Sequence, residues 1–442
     1  MSVVVAGLGK TGVSCIRHLL RRGVPVRATD SRDAPPGLAS LGELAGRVEL
    51  RLGGLDAGLL EGASQLLMSP GLSLEEPIAR AARDRGIEVI GDVELFARAA
   101  TAPVVGITGT NGKSTVTSLV AHLARGAGKR VLAGGNLGEP ALDLLDAPVP
   151  DLYVLELSSF QLETSFSLAP CAATVLNLSA DHLDRYGSIE DYARAKQRIF
   201  AHAASMVLNA EDPRVMAMRR EGVPTRTFAV RRADADYALA AGSGGADMLV
   251  RHGEPLIEAS ALKIMGRHNL ANALAALALG EAAGLDRGPM LAALKTFAGL
   301  PHRSQWIADV DGVRFVDDSK GTNVGATLAA VEGSERRLVM ILGGDGKGQQ
   351  FAPLAAALRG RARAAVLIGR DAALIAAAIG CVCPFEHAAS MPEAVAAAAR
   401  LARAGDTVLL SPACASLDMF RDYAHRGEVF AAAVHELAER HR

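Results

Sequence analysis

An α/β fold in three domains is what this 442-residue sequence predicts. Three observations predict it. The chain exceeds the roughly 250–300 residues at which a single hydrophobic core stops growing. Apolar, strand-like runs alternate with helix-spaced runs along its length, the pattern of parallel sheets covered by helices. The alternation also begins three separate times, and each segment carries glycine-bearing or polar loops at strand ends. Domains are expected over residues 1–91, 92–298 and 299–442.

Composition sets the class. Half the residues are apolar, and 47 basic side chains nearly balance 48 acidic ones. No global field is present to draw in nucleic acid, so no nucleic-acid partner is expected. No uninterrupted apolar run reaches the ~18 residues of a membrane span, and no membrane association is expected. The start, Val3-Val-Val-Ala-Gly7, reads as a strand without a basic leader before it. The five cysteines are scattered, and Cys381-Val-Cys383 has no second pair at zinc spacing. Reduced structural thiols in a cytoplasmic protein are expected.

The first domain opens with a strand running into Gly7-Leu-Gly9-Lys10-Thr-Gly12 and a helical pattern. A second strand, Val24 to Thr29, ends at Asp30. This is G-x-G-x-x-G with an acid about 20 residues on, the Rossmann-type dinucleotide fingerprint. Taken alone it says NAD, and Arg32 would admit NADP. The glycines serve any diphosphate at a helix N-terminus, so the fingerprint fixes the fold better than the ligand. Leu66 to Met68 reads as a strand ending in the loop Ser69-Pro70-Gly71-Leu72, where α/β sheets bind ligands. Glu88-Val-Ile is the last strand.

The second domain begins Val104-Val-Gly-Ile-Thr-Gly109-Thr110-Asn111-Gly112-Lys113-Ser114-Thr115-Val116. Strand, glycine loop and helix form a phosphate cradle: backbone N–H groups converge on the anion and the helix N-terminus adds partial positive charge. Lys113 would reach the β- and γ-phosphates, and Ser114 or Thr115 would hold Mg²⁺. The common motif places glycine five positions before Gly112, and here that residue is Ile107. Next come Arg130 to Gly134, ending near Asn136, and a strand from Asp151 to Glu156, whose carboxylate is placed to meet a nucleotide-bound Mg²⁺. The strand Ala173 to Asn177 precedes Asp181-His182-Leu-Asp184, a metal or base candidate. Asp191 to Phe200 is a basic helix whose charges, Lys196 included, read as a solvated face. Between Met206 and Leu262, short strands and turns predict a small antiparallel appendage. Asn269 either caps the Ala-rich helix that follows or faces a base.

Leu300-Pro-His302-Arg303 leads into the third domain, with strands expected at Val313 to Val316, Leu338 to Leu342, Ala364 to Ile368 and Thr407 to Leu410. Three polar loops follow strand ends: Asp317-Asp318-Ser-Lys320-Gly-Thr322-Asn323, Gly343-Gly-Asp345-Gly-Lys347-Gly, and Ser411-Pro-Ala-Cys-Ala-Ser416-Leu417-Asp418. Together they imply a binding face, although each alone is ordinary turn chemistry.

The phosphate loop, Asp-His-Leu-Asp, His268-Asn269-x-x-Asn272, Leu-Pro-His-Arg and Asp-Asp-Ser-Lys-x-Thr-Asn together resemble the Mur ligases of peptidoglycan synthesis, across essentially the whole chain. The replaced loop glycine is also what that family shows. The resemblance implies a Rossmann-like first domain binding UDP substrate in place of a nicotinamide, a P-loop ATPase-like centre and a Rossmann-like third domain. Gly9, Lys10, Ser31, Arg32, Ser69 and Gly71 would contact uridine and diphosphate, with Asp30 ordering their loop. The implied reaction uses ATP to join D-glutamate to UDP-N-acetylmuramoyl-L-alanine through an acyl phosphate and a tetrahedral intermediate. Lys113, Glu156, His182 and Lys196 would be catalytic. One Mg²⁺ (or Mn²⁺) would sit on Ser114 and Glu156. A second would sit on His182 and Lys196, the lysine carrying a carbamate formed with CO₂. Residues 109–116, with Asn269, Arg303 and Asp318, would hold ATP. Asn136 would meet the muramoyl part, and Thr322, Lys347, Ser416, Leu417 and Tyr423 would meet D-glutamate. A monomer is expected. Other amide ligases of the superfamily, an NAD-dependent oxidoreductase fused to an ATPase, and a nucleotide-binding regulator are the competing readings.

Overall fold

The computed structural model describes residues 2–182, 185–242, 245–264 and 266–440. The chain divides into two compact units, residues 1–257 with 273–295 and residues 258–272 with 296–442.

The first unit holds two sheets. Strands β1 (Ser2–Ala6), β2 (Val26–Asp30), β3 (Val48–Leu52), β4 (Ala63–Met68) and β5 (Glu88–Ile90) pair in parallel in the order β3-β2-β1-β4-β5. Val3, Val4 and Val5 are consecutive and all buried, because both faces of a parallel sheet are covered and alternation is lost. The helix Lys10–Arg21 follows β1. Its Gly12 lies so close to β1 that an added Cβ would come 1.9 Å from the Gly7 carbonyl oxygen, so the third glycine of the fingerprint serves helix–strand packing. Strand order reverses between β1 and β4. A crevice at that switch point is where such sheets bind ligands, and the Gly7–Gly12 and Ser69–Gly71 loops both open there.

The second sheet contains β6 (Val104–Thr108), β7 (Val131–Gly135), β8 (Leu152–Glu156), β9 (Ala172–Val175), β10 (Met206–Asn209), β11 (Thr225–Ala229), β12 (Tyr237–Ala241), β13 (Asp247–Arg251) and β14 (Glu254–Glu258). Their order is β14-β13-β12-β11-β10-β9-β6-β8-β7. The segment expected as an antiparallel appendage is a lateral extension of this sheet. β10, β11 and β12 pair in parallel, and the direction reverses between β12 and β13. The short helix Pro213–Met216 lies in the β10–β11 connection and returns the chain to the same edge, which a tight hairpin cannot do.

In the second unit, β15 (Gln305–Val310), β16 (Val313–Asp317), β17 (Leu338–Gly343), β18 (Ala362–Ile368), β19 (Phe385–His387) and β20 (Thr407–Leu410) form a sheet of order β15-β16-β20-β17-β18-β19. It is parallel apart from the edge strand β15. Met340 and Leu342 enter the core on one face and Val339 and Ile341 the core on the other, the period of two of a strand covered on both sides. The four expected strands are present. β15 and β19 were not anticipated: β15 is half-exposed and interrupted by polar side chains, and β19 is three residues long.

Candidate active site

The phosphate loop forms because β6 ends at Thr108 and the helix Lys113–Gly126 starts five residues later. Gly112 caps that helix at φ 82°, a left-handed conformation that side chains disfavour. Ile107 is buried in β6 and pairs with Glu156 on one side and Thr174 on the other. The strand therefore runs through the position where the common motif has glycine, and the turn is confined to residues 109–112. Asn177 braces the loop. Its Oδ1 accepts from the Asn111 N–H at 2.9 Å and its Nδ2 donates to the Asn111 carbonyl at 3.0 Å. The Thr110 hydroxyl is engaged with the backbone of Ser179. The Lys113 ammonium arches back to the carbonyls of Gly109 (2.9 Å) and Thr110 (2.8 Å). Ser114, Thr115 and Val116 are buried in the first turn of the helix.

β8 lies beside β6, and its last residue brings Glu156 to the same edge. The carboxylate is buried. Oε1 accepts from Asn136 Nδ2 at 2.7 Å, and the Asn136 N–H donates to the Glu156 carbonyl at 2.8 Å. Oε2 is buried without a hydrogen-bond partner. An unpartnered buried carboxylate oxygen is costly, and a hard cation would satisfy it. Mg²⁺ takes one or two carboxylates plus hydroxyl, phosphate and water oxygens, so Glu156 with the Ser114 hydroxyl fits that ion. Among the described residues, no three His, Cys, Asp or Glu side chains form a ready-made cage.

Lys196 is not on a solvated face: it is 1% exposed. Its ammonium lies 3.4 Å from the Thr108 hydroxyl and 4.5 Å from the centre of the Tyr192 ring. Burial, and secondarily the Lys113 charge, hold its pKa well below the ordinary lysine value; Asp181 and Glu156 pull the other way. His182 has φ 55°, uncommon for a residue with a side chain. Its ring packs edge-on to Phe160 at 5.0 Å and tilts against Tyr192 at 6.2 Å. The Tyr192 ring thus lies against both His182 and Lys196. Asp184 lies outside the described residues. Arg185, which sequence reasoning passed over, stacks 4.3 Å over Phe160, pairs with Glu163 at 3.0 Å and donates to the Pro70 carbonyl at 3.2 Å. It ties the Ser69–Gly71 loop to the His182 segment.

At the first sheet, Asp30 is fully committed. Oδ2 accepts from the Leu8 N–H at 2.7 Å and from Arg32 NH2 at 2.8 Å, and Oδ1 accepts from the backbone and side chain of Arg32. Nothing is left to grip a nicotinamide ribose; the acid orders the glycine loop. Gly9 and Ser69 are half-buried, and Lys10, Ser31, Arg32 and Gly71 are exposed. Lys10 donates to the Gly138 carbonyl, which joins that loop to the Asn136 turn. The Arg32 hydrogen bonds hold the Asp30 carboxyl down at about 2, against its ordinary 3.8. A depressed carboxyl stabilises the fold fully above its unfolded pKa, and that contribution is lost as pH falls through the folded value. Because the guanidinium is half-exposed, about 1 kcal/mol is expected. Asp30→Asn should cost about 1–2 kcal/mol at neutral pH by urea unfolding, with the difference from the parent narrowing as pH falls from about 4 toward about 2. An unchanged midpoint at neutral pH would contradict this role.

In the second unit, the loops after β16, β17 and β20 are laced together. Ala413 donates to the Gly321 carbonyl, and Asp345 and Ala415 exchange backbone hydrogen bonds. Thr322 and Ser416 sit in these loops with Lys347, which is exposed at φ 50°. Leu417 is 71% exposed. Tyr423 opens the last helix and packs 3.8 Å beneath the Lys320 ammonium. Arg426, also unforeseen, is completely buried and donates to the Ser319 hydroxyl (2.9 Å), the Ser319 carbonyl (2.7 Å) and the Cys414 carbonyl (3.1 Å). It pins two of the three loops. Asp318 accepts from Ser411 Oγ at 2.7 Å and from the Ser304 N–H at 3.1 Å, and burial pushes its carboxyl up to about 7. Asn269 does not cap the Ala-rich helix, which begins two residues earlier at Arg267. It lines a cavity of about 520 Å³ together with Arg303, Lys263 and Trp306.

Family models match most of the chain. A Mur ligase MurD-like N-terminal domain covers residues 1–91, a Mur ligase middle domain residues 107–280, and a Mur ligase glutamate ligase domain residues 302–414. A UDP-N-acetylmuramoylalanine–D-glutamate ligase of Nitrosococcus oceani is 54% identical over 98% of this chain and 96% of its own length. The Pseudomonas aeruginosa protein of the same name is 51% identical over 98% of both chains. Among solved structures, the MurF ligase of Thermotoga maritima in complex with ADP superposes with a TM-score of 0.65 at 18% identity over 100% of this chain and 95% of that one. The UDP-N-acetylmuramate–alanine ligase MurC of the same organism gives 0.60 at 21%, over 99% and 100%. At such identities these structures speak to the fold.

Proposed function

This chain belongs to the Mur ligase family, and we propose that it joins D-glutamate to UDP-N-acetylmuramoyl-L-alanine with ATP in peptidoglycan precursor synthesis. The observation that carries the chemistry is Glu156, a buried carboxylate with an unpartnered oxygen on the strand beside the phosphate loop. The choice of amino acid rests on full-length relatives near half identity that bear this activity in their names.

A carboxylate is a poor electrophile for an amine. Transfer of the γ-phosphoryl group makes it an acyl phosphate; the D-glutamate amine then adds, and the tetrahedral intermediate expels phosphate. The backbone N–H groups of Gly109, Gly112 and the start of the following helix would cradle the phosphates, while those of Thr110 and Asn111 donate to Asn177, and Lys113 would leave its loop carbonyls to neutralise charge on the transferring group. Ser114 and Glu156 would hold one Mg²⁺, and His182 with a carbamylated Lys196 would hold a second; Mn²⁺ is expected to substitute. Such ions supply positive charge where two anions must meet. Burial favours the neutral amine of Lys196, the form whose lone pair attacks CO₂, and the neighbouring Lys113 charge would offset the anion formed. Asn136 aligns Glu156 with one hydrogen of its amide NH₂ and would donate the other to the muramoyl part or its carboxylate. Gly9, Lys10, Ser31, Arg32, Ser69 and Gly71 would take the UDP portion. Asn269, Arg303 and Asp318 would take the nucleoside and phosphates of ATP. Thr322, Lys347, Ser416, Leu417 and Tyr423 would take D-glutamate, with Lys347 pairing a carboxylate. No helix among the described residues is long and apolar enough to cross a membrane, and a cytoplasmic monomer is the form we expect.

The test is phosphate release from ATP with UDP-N-acetylmuramoyl-L-alanine, comparing D-glutamate with L-glutamate, L-lysine and meso-diaminopimelate. Turnover with D-glutamate alone is expected. Turnover with another of these amino acids in its place would overturn the substrate assignment.

A further inference from the structure

Trp306 is the only tryptophan in the chain, and it is 54% exposed. It stands second in β15, the edge strand that sequence reasoning missed. Its position is fixed. The indole N–H donates to Asp309 Oδ1 at 3.0 Å, and Asp309 is gripped by Arg314 through Nε at 3.2 Å and NH2 at 3.4 Å. The ring is thus anchored at its polar edge while much of its surface stays open.

Trp306 lines the cavity of about 520 Å³ already described, with Asn269, Lys263 and Arg303. The volume falls in the range of small-ligand pockets. Its lining combines an aromatic plate, a carboxamide and cationic side chains. An aromatic face takes a flat heterocycle by stacking. A carboxamide can pair with the donor–acceptor edge of adenine. Cations suit an attached anionic chain. We propose that Trp306 is a nucleotide-binding residue, the platform on which the purine of ATP stacks in this cavity. The choice of ATP as occupant rests on the reading of the chain as an ATP-using ligase; the choice of a purine nucleotide rests on the cavity itself.

The lone tryptophan provides its own probe. Under excitation selective for tryptophan, ATP and ADP should quench the emission of the full-length protein saturably, and tripolyphosphate, which has no base, should not. In steady-state assays Trp306→Ala should raise the KM for ATP about tenfold, the order expected for loss of one stacked base, with kcat and the KM for D-glutamate near those of the parent. Trp306→Phe keeps a ring and should stay within about threefold of the parent KM, so it separates loss of stacking from loss of fold if the alanine variant is unstable. Quenching by tripolyphosphate equal to that by ATP would overturn the proposal. So would an unchanged ATP KM in Trp306→Ala, or a tenfold rise in Trp306→Phe, while the parent turns over. The ligase reading fails separately: saturable, base-dependent quenching in a protein that never consumes ATP with UDP-N-acetylmuramoyl-L-alanine and D-glutamate would uphold the nucleotide platform and remove the ligase.

Discussion

Lys196→Ala is expected to lose about three orders of magnitude in kcat, the scale at which a group stabilising charge in the transition state is removed. The side chain lies buried between the Thr108 hydroxyl and the Tyr192 ring, and a solvated surface lysine would show neither feature. Burial holds its pKa well below the ordinary value. Carbamate formation needs the unprotonated amine, so activity dependent on bicarbonate should fall as pH drops through that lowered value. Short carboxylates such as acetate or formate should restore part of the activity of Lys196→Ala, because they return an anion to the vacated space. Lys196→Met, which keeps the volume, should melt near the parent and not be rescued. A fully active Lys196→Ala would remove the lysine from the mechanism.

Glu156→Gln should be the second large effect, about 10²–10³-fold in kcat with a raised Mg²⁺ requirement. The amide can still accept from Asn136 through its oxygen, so the local fold is retained. The parent carboxylate has one buried oxygen without a partner, and removing that charge relieves a cost. Glu156→Gln should therefore unfold at or slightly above the parent midpoint while losing turnover. Stability and activity moving in opposite directions would mark a residue held for function. A simultaneous loss of both would make Glu156 a packing residue.

The sequence made some of this legible because some chemistry is local. A glycine loop between a strand and a helix, or a carboxylate at a strand end, shows in a few adjacent letters; residues 108–116 and Glu156 were found that way. Lys196 was not readable locally. Its helix looks basic and solvated, and only the resemblance singled it out; in the fold its side chain is buried beside Thr108 at the end of β6. Asn177, Arg185 and Arg426 escaped notice because their partners are distant in sequence or are backbone carbonyls, which leave no letter. The parallel course of β10 to β12 was missed for a related reason: strand direction depends on how a connection crosses the sheet. Asp30 matched a ribose-binding acid by spacing, yet every oxygen it has is taken by Leu8 and Arg32. Asn269 matched a helix cap, yet the helix had already begun.

The proposed chemistry rests on activating a carboxylate by moving phosphate onto it. The most direct measurement uses UDP-N-acetylmuramoyl-L-alanine labelled with oxygen-18 in its terminal carboxylate, turned over with ATP and D-glutamate, followed by mass analysis of the released phosphate. One labelled oxygen should pass to each phosphate, because the acyl phosphate breaks between carbon and the bridging oxygen. Unlabelled phosphate alongside normal amide formation would contradict it.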